Sequence, residues 1–255
     1  MFARWHRGRV LERYRIPQAE FEAAVADLPL LVGLAADERD TLRDQASLLL
    51  ADKNFSAAGG AEVERPTQLR IALQACLLTL HLDETSYRGW SEIILYPDEF
   101  LRPHEEIDEA GVVHVYRDIL AGESWHGGPL VLSIADVAAS GQLEGFNVVL
   151  HEFAHKLDML NGDANGFPPL HRGMKSADWA RDFSAAFEDL CARVDTGKDT
   201  VVDPYASTNP AEFFAVTTEM FFEVPDLIAD AYPAVYAQMQ QFYRQDPLAR
   251  LGRPA

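Results

Sequence analysis

The chain has 255 residues, 48% of them hydrophobic and 24% charged, a balance that excludes disordered, collagen-like and coiled-coil sequences. Forty Asp and Glu against 22 Lys and Arg leave a net charge of −18, which repels phosphate backbones and argues against direct nucleic-acid binding. The two cysteines, Cys76 and Cys191, are far apart and form no CxxC pair, so neither a disulfide framework nor a thiolate zinc site is expected.

The first residues carry Arg4, Arg7, Arg9, Arg13 and Arg15, a basic arm on an acidic protein. They read as a solvated or core-docking terminus rather than a functional patch. Glu12, Arg13 and Arg15 interrupt what would be the apolar core of a signal peptide. No later stretch approaches the ~20 apolar residues of a membrane span. A cytoplasmic location without membrane association is expected.

Residues 18–28 space Phe21, Val25 and Leu28 helically, and residues 37–53 do the same with Leu42, Ala46 and Leu49. The small, flexible run Ala57-Ala58-Gly59-Gly60 marks an internal boundary. Residues 1–60 are therefore expected as an N-terminal helical segment packed on a domain spanning 61–255. A third helix, 66–82, is apolar through Leu69, Ala72, Leu73, Cys76, Leu77 and Leu80, and buried on most sides. Three short β-branched or aromatic runs follow, at 92–96, 111–116 and 129–134, each bounded by Pro, Gly or Asp. They read as strands. From residue 142 helices return and dominate. The order predicts an α+β protein, mostly helical with one small mixed sheet.

One motif rises above this background: His151-Glu152-Phe153-Ala154-His155. On a helix, imidazoles four residues apart project from one face and can share one metal ion, with the intervening Glu in reach of water there. Gly145-Phe146-Asn147-Val148-Val149-Leu150 before it, and Leu157, Met159 and Leu160 after it, continue a helix with apolar residues beside the histidines, which Asn161-Gly162 stops. Two solvated histidines and a solvated Glu are the alternative. Among such neighbours it is expensive, because buried polar groups need partners.

A hydrolytic zinc site takes three protein ligands and leaves one position open. Asp158 and Asn161 stand where a metzincin has Gly and His, which excludes that class. Asp158 suits a hydrogen bond to an imidazole N–H better than ligation, and His171 lies in a Pro- and Gly-rich loop. The better source is the aromatic helix that begins at Asn209-Pro210, where Glu212 and Glu219 share a face. Asn209-x-x-Glu212 is also a capping-box pattern. Spacing alone leaves Glu212 open between ligand and cap, with Glu219 as rival ligand or supporting group.

Three strings go beyond a short motif: Asn147 to Asp158, Asp203-Pro204-Tyr205-Ala206, and Asn209-Pro210-Ala211-Glu212-Phe213-Phe214-Ala215-Val216. They closely resemble the Mlc titration factor A family, bacterial cytosolic zinc peptidases whose catalytic core is similar to that of anthrax lethal factor. The likeness extends upstream through Gln74-Ala75-Cys76, Ile93-Ile94-Leu95-Tyr96-Pro97, Ser124-Trp125 and Gly128-Pro129-Leu130-Val131-Leu132-Ser133, and is loosest over the first sixty residues. The resemblance implies a zincin-like core with one Zn2+ per chain held by His151, His155 and Glu212. It further implies Glu152 as general base and Tyr205 near the scissile carbonyl, where its hydroxyl is the candidate oxyanion donor. It also implies aminopeptidase-like hydrolysis of small peptides, and binding to the glucose-responsive repressor Mlc.

Zincins hold extended substrates along an edge strand above the metal helix, and residues 130–134 are the candidate edge, with plain core strand as the alternative. Trp125, His126, Gly127 and Gly128 would line the cleft. A different class of function is a non-catalytic protein that sequesters a repressor around a vestigial or structural zinc site. A structural site would be closed by four ligands and needs no Glu beside the first His, so Glu152 favours catalysis.

Overall fold

The computed structural model describes residues 2–60, 62–82, 86–97, 100–107, 113–120, 122–124 and 127–252. The N-terminal part is helical as expected: α1 (Phe2–Tyr14), α2 (Gln18–Ala26) and α3 (Ala36–Asp52). Arg7 and Arg15 of the basic arm lie against Asp44 of α3, so the arm docks on its own chain. The run at 57–60 closes a strand that the sequence does not announce, β1 (Asn54–Ala57). Four residues are too few to display alternation, and their pairing is with a segment almost forty residues on.

α4 (Arg65–Leu78) is followed by β2 (Glu92–Tyr96), β3 (Phe100–Ile107), β4 (Val113–Leu120), β5 (Gly122–Ser124) and β6 (Leu130–Ser133). β1, β2 and β6 are parallel, in the order β1-β2-β6, with Asn54 opposite Glu92 and Ile93 opposite Leu130. β5 adds antiparallel to β6, which makes the sheet mixed as expected, though through a strand the sequence does not announce. β3 and β4 form a separate antiparallel ribbon. Of the predicted strand at 111–116, Gly111 and Val112 lie outside the described residues.

Of the two readings of residues 130–134, substrate-binding edge or plain core strand, the structure selects the core strand. β6 is hydrogen-bonded to β2 on one side and β5 on the other, and all four of its residues are buried. Its backbone groups are already spent, so a peptide cannot add to it. Among the described residues the strand at that end of the sheet is β5, which packs against the helix bearing the histidines.

The helices that follow are α5 (Ile134–Ala139), α6 (Val148–Asp158), α7 (Ser176–Asp195), α8 (Pro210–Glu223), α9 (Pro225–Ala231), α10 (Pro233–Tyr243) and α11 (Pro247–Leu251). One apolar core runs from Ile16 and Phe21 through α4 and α6 to Phe242 and Tyr243. α8 is held by rings: Phe213 and Phe214 meet Phe183 of α7, whose neighbour Trp179 stacks on it at 4.1 Å, while Phe221 and Phe222 meet Tyr243. Burying that much aromatic surface makes α8 a rigid support. The C-terminal helix is tied to the N-terminal part, where the Arg250 guanidinium donates to the carbonyls of Leu30 and Val32. No helix among the described residues is long and apolar enough to cross a membrane.

Candidate metal centre

α6 starts at Val148, three residues later than the helix expected from Gly145. The Asn147 side chain accepts the Leu150 N–H at 2.9 Å, satisfying a donor that the helix leaves orphaned. His151 and His155 then project from one face, with their Nε2 atoms 3.2 Å apart. α8 packs against α6 and brings its first turn to this point. Asn209 caps it by accepting the N–H groups of Ala211 and Glu212. The Glu212 carboxylate does not return to Asn209 as a capping box requires. It turns to the histidines, 3.0 Å from His151 Nε2 and 3.4 Å from His155 Nε2.

Those separations are a test of the site. Donors about 2.0–2.1 Å from a tetrahedral zinc stand about 3.3 Å from one another. The three donor atoms of His151, His155 and Glu212 have mutual distances of 3.0, 3.2 and 3.4 Å, so the residues fit such an ion. They are the one group of His, Cys, Asp or Glu among the described residues that converges in this way. Their electrostatics ask for positive charge. Burial opposes ionisation of Glu212, but hydrogen bonds with His151 and His155, and their charge, hold the carboxyl well below its usual range. Burial likewise opposes a charged His151, but Glu212 and Glu219 outweigh it and raise the imidazole well above its ordinary value.

Glu219 is placed as a support. Its Oε1 accepts from His151 Nδ1 at 2.8 Å, and its Oε2 accepts the Asn147 N–H at 2.5 Å. With Nδ1 the donor, His151 Nε2 carries the lone pair that a metal needs. Asn147 extends the network, donating through Nδ2 to Gln74 and Glu223, each at 2.6 Å. Asp158 departs from expectation: its carboxylate bonds no imidazole among the described residues and accepts three backbone N–H groups of residues 165–167 instead. A fully buried carboxylate needs several donors, and that loop supplies them. His171 is elsewhere, bonded to the Phe242 carbonyl.

Tyr205 sits on a short 3-10 turn, Pro204–Ser207, with its ring centroid 6.2 Å from that of His151 and 49% of its surface exposed. It stands at the rim of the site. Glu152 is buried on α6 at 4% exposure. Trp125 and His126 lie outside the described residues.

One group near the motif was missed. Lys156, one turn beyond Glu152, is buried, donates to the Gly128 carbonyl at 3.0 Å and lies 4.8 Å from the Trp90 ring centre. Lys53 approaches the same ring to 4.2 Å. The lysine next to HExxH is visible in sequence, but its partners come from distant segments. Burial brings Lys156 down to about 8, the Glu152 charge opposing and the Lys53 charge adding to that fall. Between pH 8 and an unfolded lysine's ~10.4 the unfolded chain holds the extra proton, so stability rises with pH across that window. Urea unfolding should show a gain on the order of 2–3 kcal/mol from this group, and Lys156→Met should flatten it. An equally steep rise in the variant would refute the assignment.

Comparison with known proteins agrees with this geometry. Residues 2–244 match the family described as glucose-regulated metallo-peptidase M90. The chain is 42% identical over 243 residues to Mlc titration factor A of Serratia proteamaculans (strain 568), covering 93% of this chain and 92% of that protein. It is 40% identical over 244 residues to the protein of the same name from Yersinia pestis (strain Pestoides F), covering 93% and 90%.

Proposed function

This chain belongs to the glucose-regulated metallopeptidase family M90, and we propose that it hydrolyses peptide bonds with one zinc ion per chain held by His151, His155 and Glu212. The observation that carries this reading is the convergence of those three donors to within 3.4 Å of one another, beside a buried glutamate one residue along the helix. Two imidazoles and a carboxylate form a donor set that suits zinc. Zinc, when bound, supplies Lewis acidity toward the peptide carbonyl and makes water nucleophilic near neutral pH.

The chain's own residues do the rest. Glu152 takes the proton of the attacking water on a carboxylate oxygen and later passes it to the leaving amine nitrogen. The Tyr205 hydroxyl donates to the oxyanion that develops on the carbonyl. Glu219 holds His151 in the tautomer that presents Nε2. The outer edge of β5 receives an extended peptide by backbone hydrogen bonds. Small peptides, cleaved from the amino end, are the substrate class. The domain that does this spans residues 61–255, with 1–60 packed on it and contributing β1 to its sheet.

A second activity rests on the relatives, whose name states that they titrate Mlc. We assign this chain the same kind of partner, an Mlc-like transcriptional repressor met in the cytoplasm, with no direct contact to nucleic acid. The net charge of −18 favours a partner with a basic face. The test of the hydrolase is metal analysis with peptide-library cleavage before and after chelation. One zinc per chain, loss of cleavage on chelation and recovery with added zinc are expected. Cleavage untouched by chelation would overturn the zinc mechanism, and no cleavage by the zinc-loaded protein would leave the sequestering role alone.

A further inference from the structure

We propose that Asp158 is a positioning residue that sets where Glu212 stands, acting through loop 165–167 and Pro210. The proposal rests on the reading of Glu212 as a metal ligand. The two histidines share one helix, so their spacing is fixed by helix geometry. Glu212 arrives on another helix 57 residues after His155, and nothing local fixes its distance from them. Something must hold α6 and α8 in register.

At one end the clasp has been described: Asn147, at the start of α6, is bonded to Glu219 and Glu223 in the second half of α8. The other end is where Asp158 acts. It is the last residue of α6 and fully buried. Its Oδ2 accepts the N–H groups of Asn165 and Gly166, each at 2.7 Å, and its Oδ1 that of Phe167 at 2.9 Å. The Gly166 carbonyl accepts the Trp179 indole N–H at 3.1 Å, anchoring the loop to α7 as well. At Gly166 the loop passes close to the first residue of α8. A Cβ on Gly166 would lie 2.4 Å from the Pro210 carbonyl oxygen, and its φ of +76° already favours glycine. Pro210 is the first residue of α8, two before Glu212. A continuous path of hydrogen bonds and hard contact thus runs from the end of α6 to the turn that carries the third donor. Metal sites tolerate only about half an ångström of play, so such a support acts on affinity.

The experiment measures zinc affinity by chelator competition, and the cobalt(II) absorption spectrum, for Asp158→Asn and Gly166→Ala, each with Glu212 intact and in a Glu212→Ala background. Urea unfolding of the metal-free proteins runs alongside. With Glu212 present, each variant should bind metal about 10–100-fold more weakly and shift the cobalt bands. With Glu212 absent, neither should change affinity by more than about two-fold, because the path then ends on nothing. Unchanged affinity with Glu212 present overturns the proposal. So does an equal loss in both backgrounds, which would mean that Asp158 acts through His155 or through the fold at large. Gly166→Ala alone decides should Asp158→Asn not fold. Should Glu212→Ala by itself leave affinity unchanged, the ligand reading falls first, and is seen to fall separately.

Discussion

Glu152→Gln is expected to bind zinc as wild type does and to lose peptide hydrolysis by about 10²–10⁴-fold, the usual worth of a positioned general base. The substitution is nearly isosteric, and the side chain is buried at 4% exposure, so the amide occupies the same space. Its carbonyl oxygen can still accept a hydrogen bond from water but cannot take the proton as attack proceeds. The three donor atoms lie on His151, His155 and Glu212, so metal content should not change. kcat/KM on a peptide substrate, with zinc measured on the same sample, checks both halves. A variant retaining more than about a tenth of wild-type activity would remove Glu152 from its role. The same variant, still folded and metal-loaded, separates cleavage from repressor binding.

Glu212→Ala should lose metal. If three protein donors share a structural-zinc free energy of about 10–16 kcal/mol, each supplies several kcal/mol, and affinity should fall by at least 10²-fold. The variant also separates the two readings that spacing leaves open. A cap residue lost from α8 would fray that helix. Here the cap is the Asn209 side chain, which keeps the N–H groups of Ala211 and Glu212 whatever side chain residue 212 carries. Helicity should therefore hold while zinc binding collapses. The metal-free variant should also lose about 1–3 kcal/mol, since His151 and His155 give up their shared acceptor. Circular dichroism beside zinc competition checks this, and full zinc occupancy would hand the ligand role elsewhere.

Much of this was legible in the residues. Helical periodicity places α2, α3, α4, α6 and α8 within a few residues of where they stand. Asn209 announces the start of α8, whereas the cap at Asn147 becomes visible only in the structure. The β-branched runs give β2 and β6. Each of these signals is local, because a 3.6-residue or two-residue period is a property of one segment. β1 and β5 were not legible, being four and three residues long and stabilised by pairing with strands that lie elsewhere. That the sequence leaves β6 open between edge and core strand has the same cause, since an edge is defined by the neighbour a strand lacks.

The division is sharpest at the metal centre. The sequence by itself determined that two imidazoles and a carboxylate lie along one buried helix, since helix geometry leaves four-residue spacing no other outcome. Tertiary structure alone decided which of Glu212 and Glu219, two turns apart on one face of α8, meets both imidazoles. The crossing of α6 and α8 sets one carboxylate on each side of the His151 ring, Glu212 at Nε2 and Glu219 at Nδ1. That choice depends on how two segments more than sixty residues apart pack, and no period within either records it.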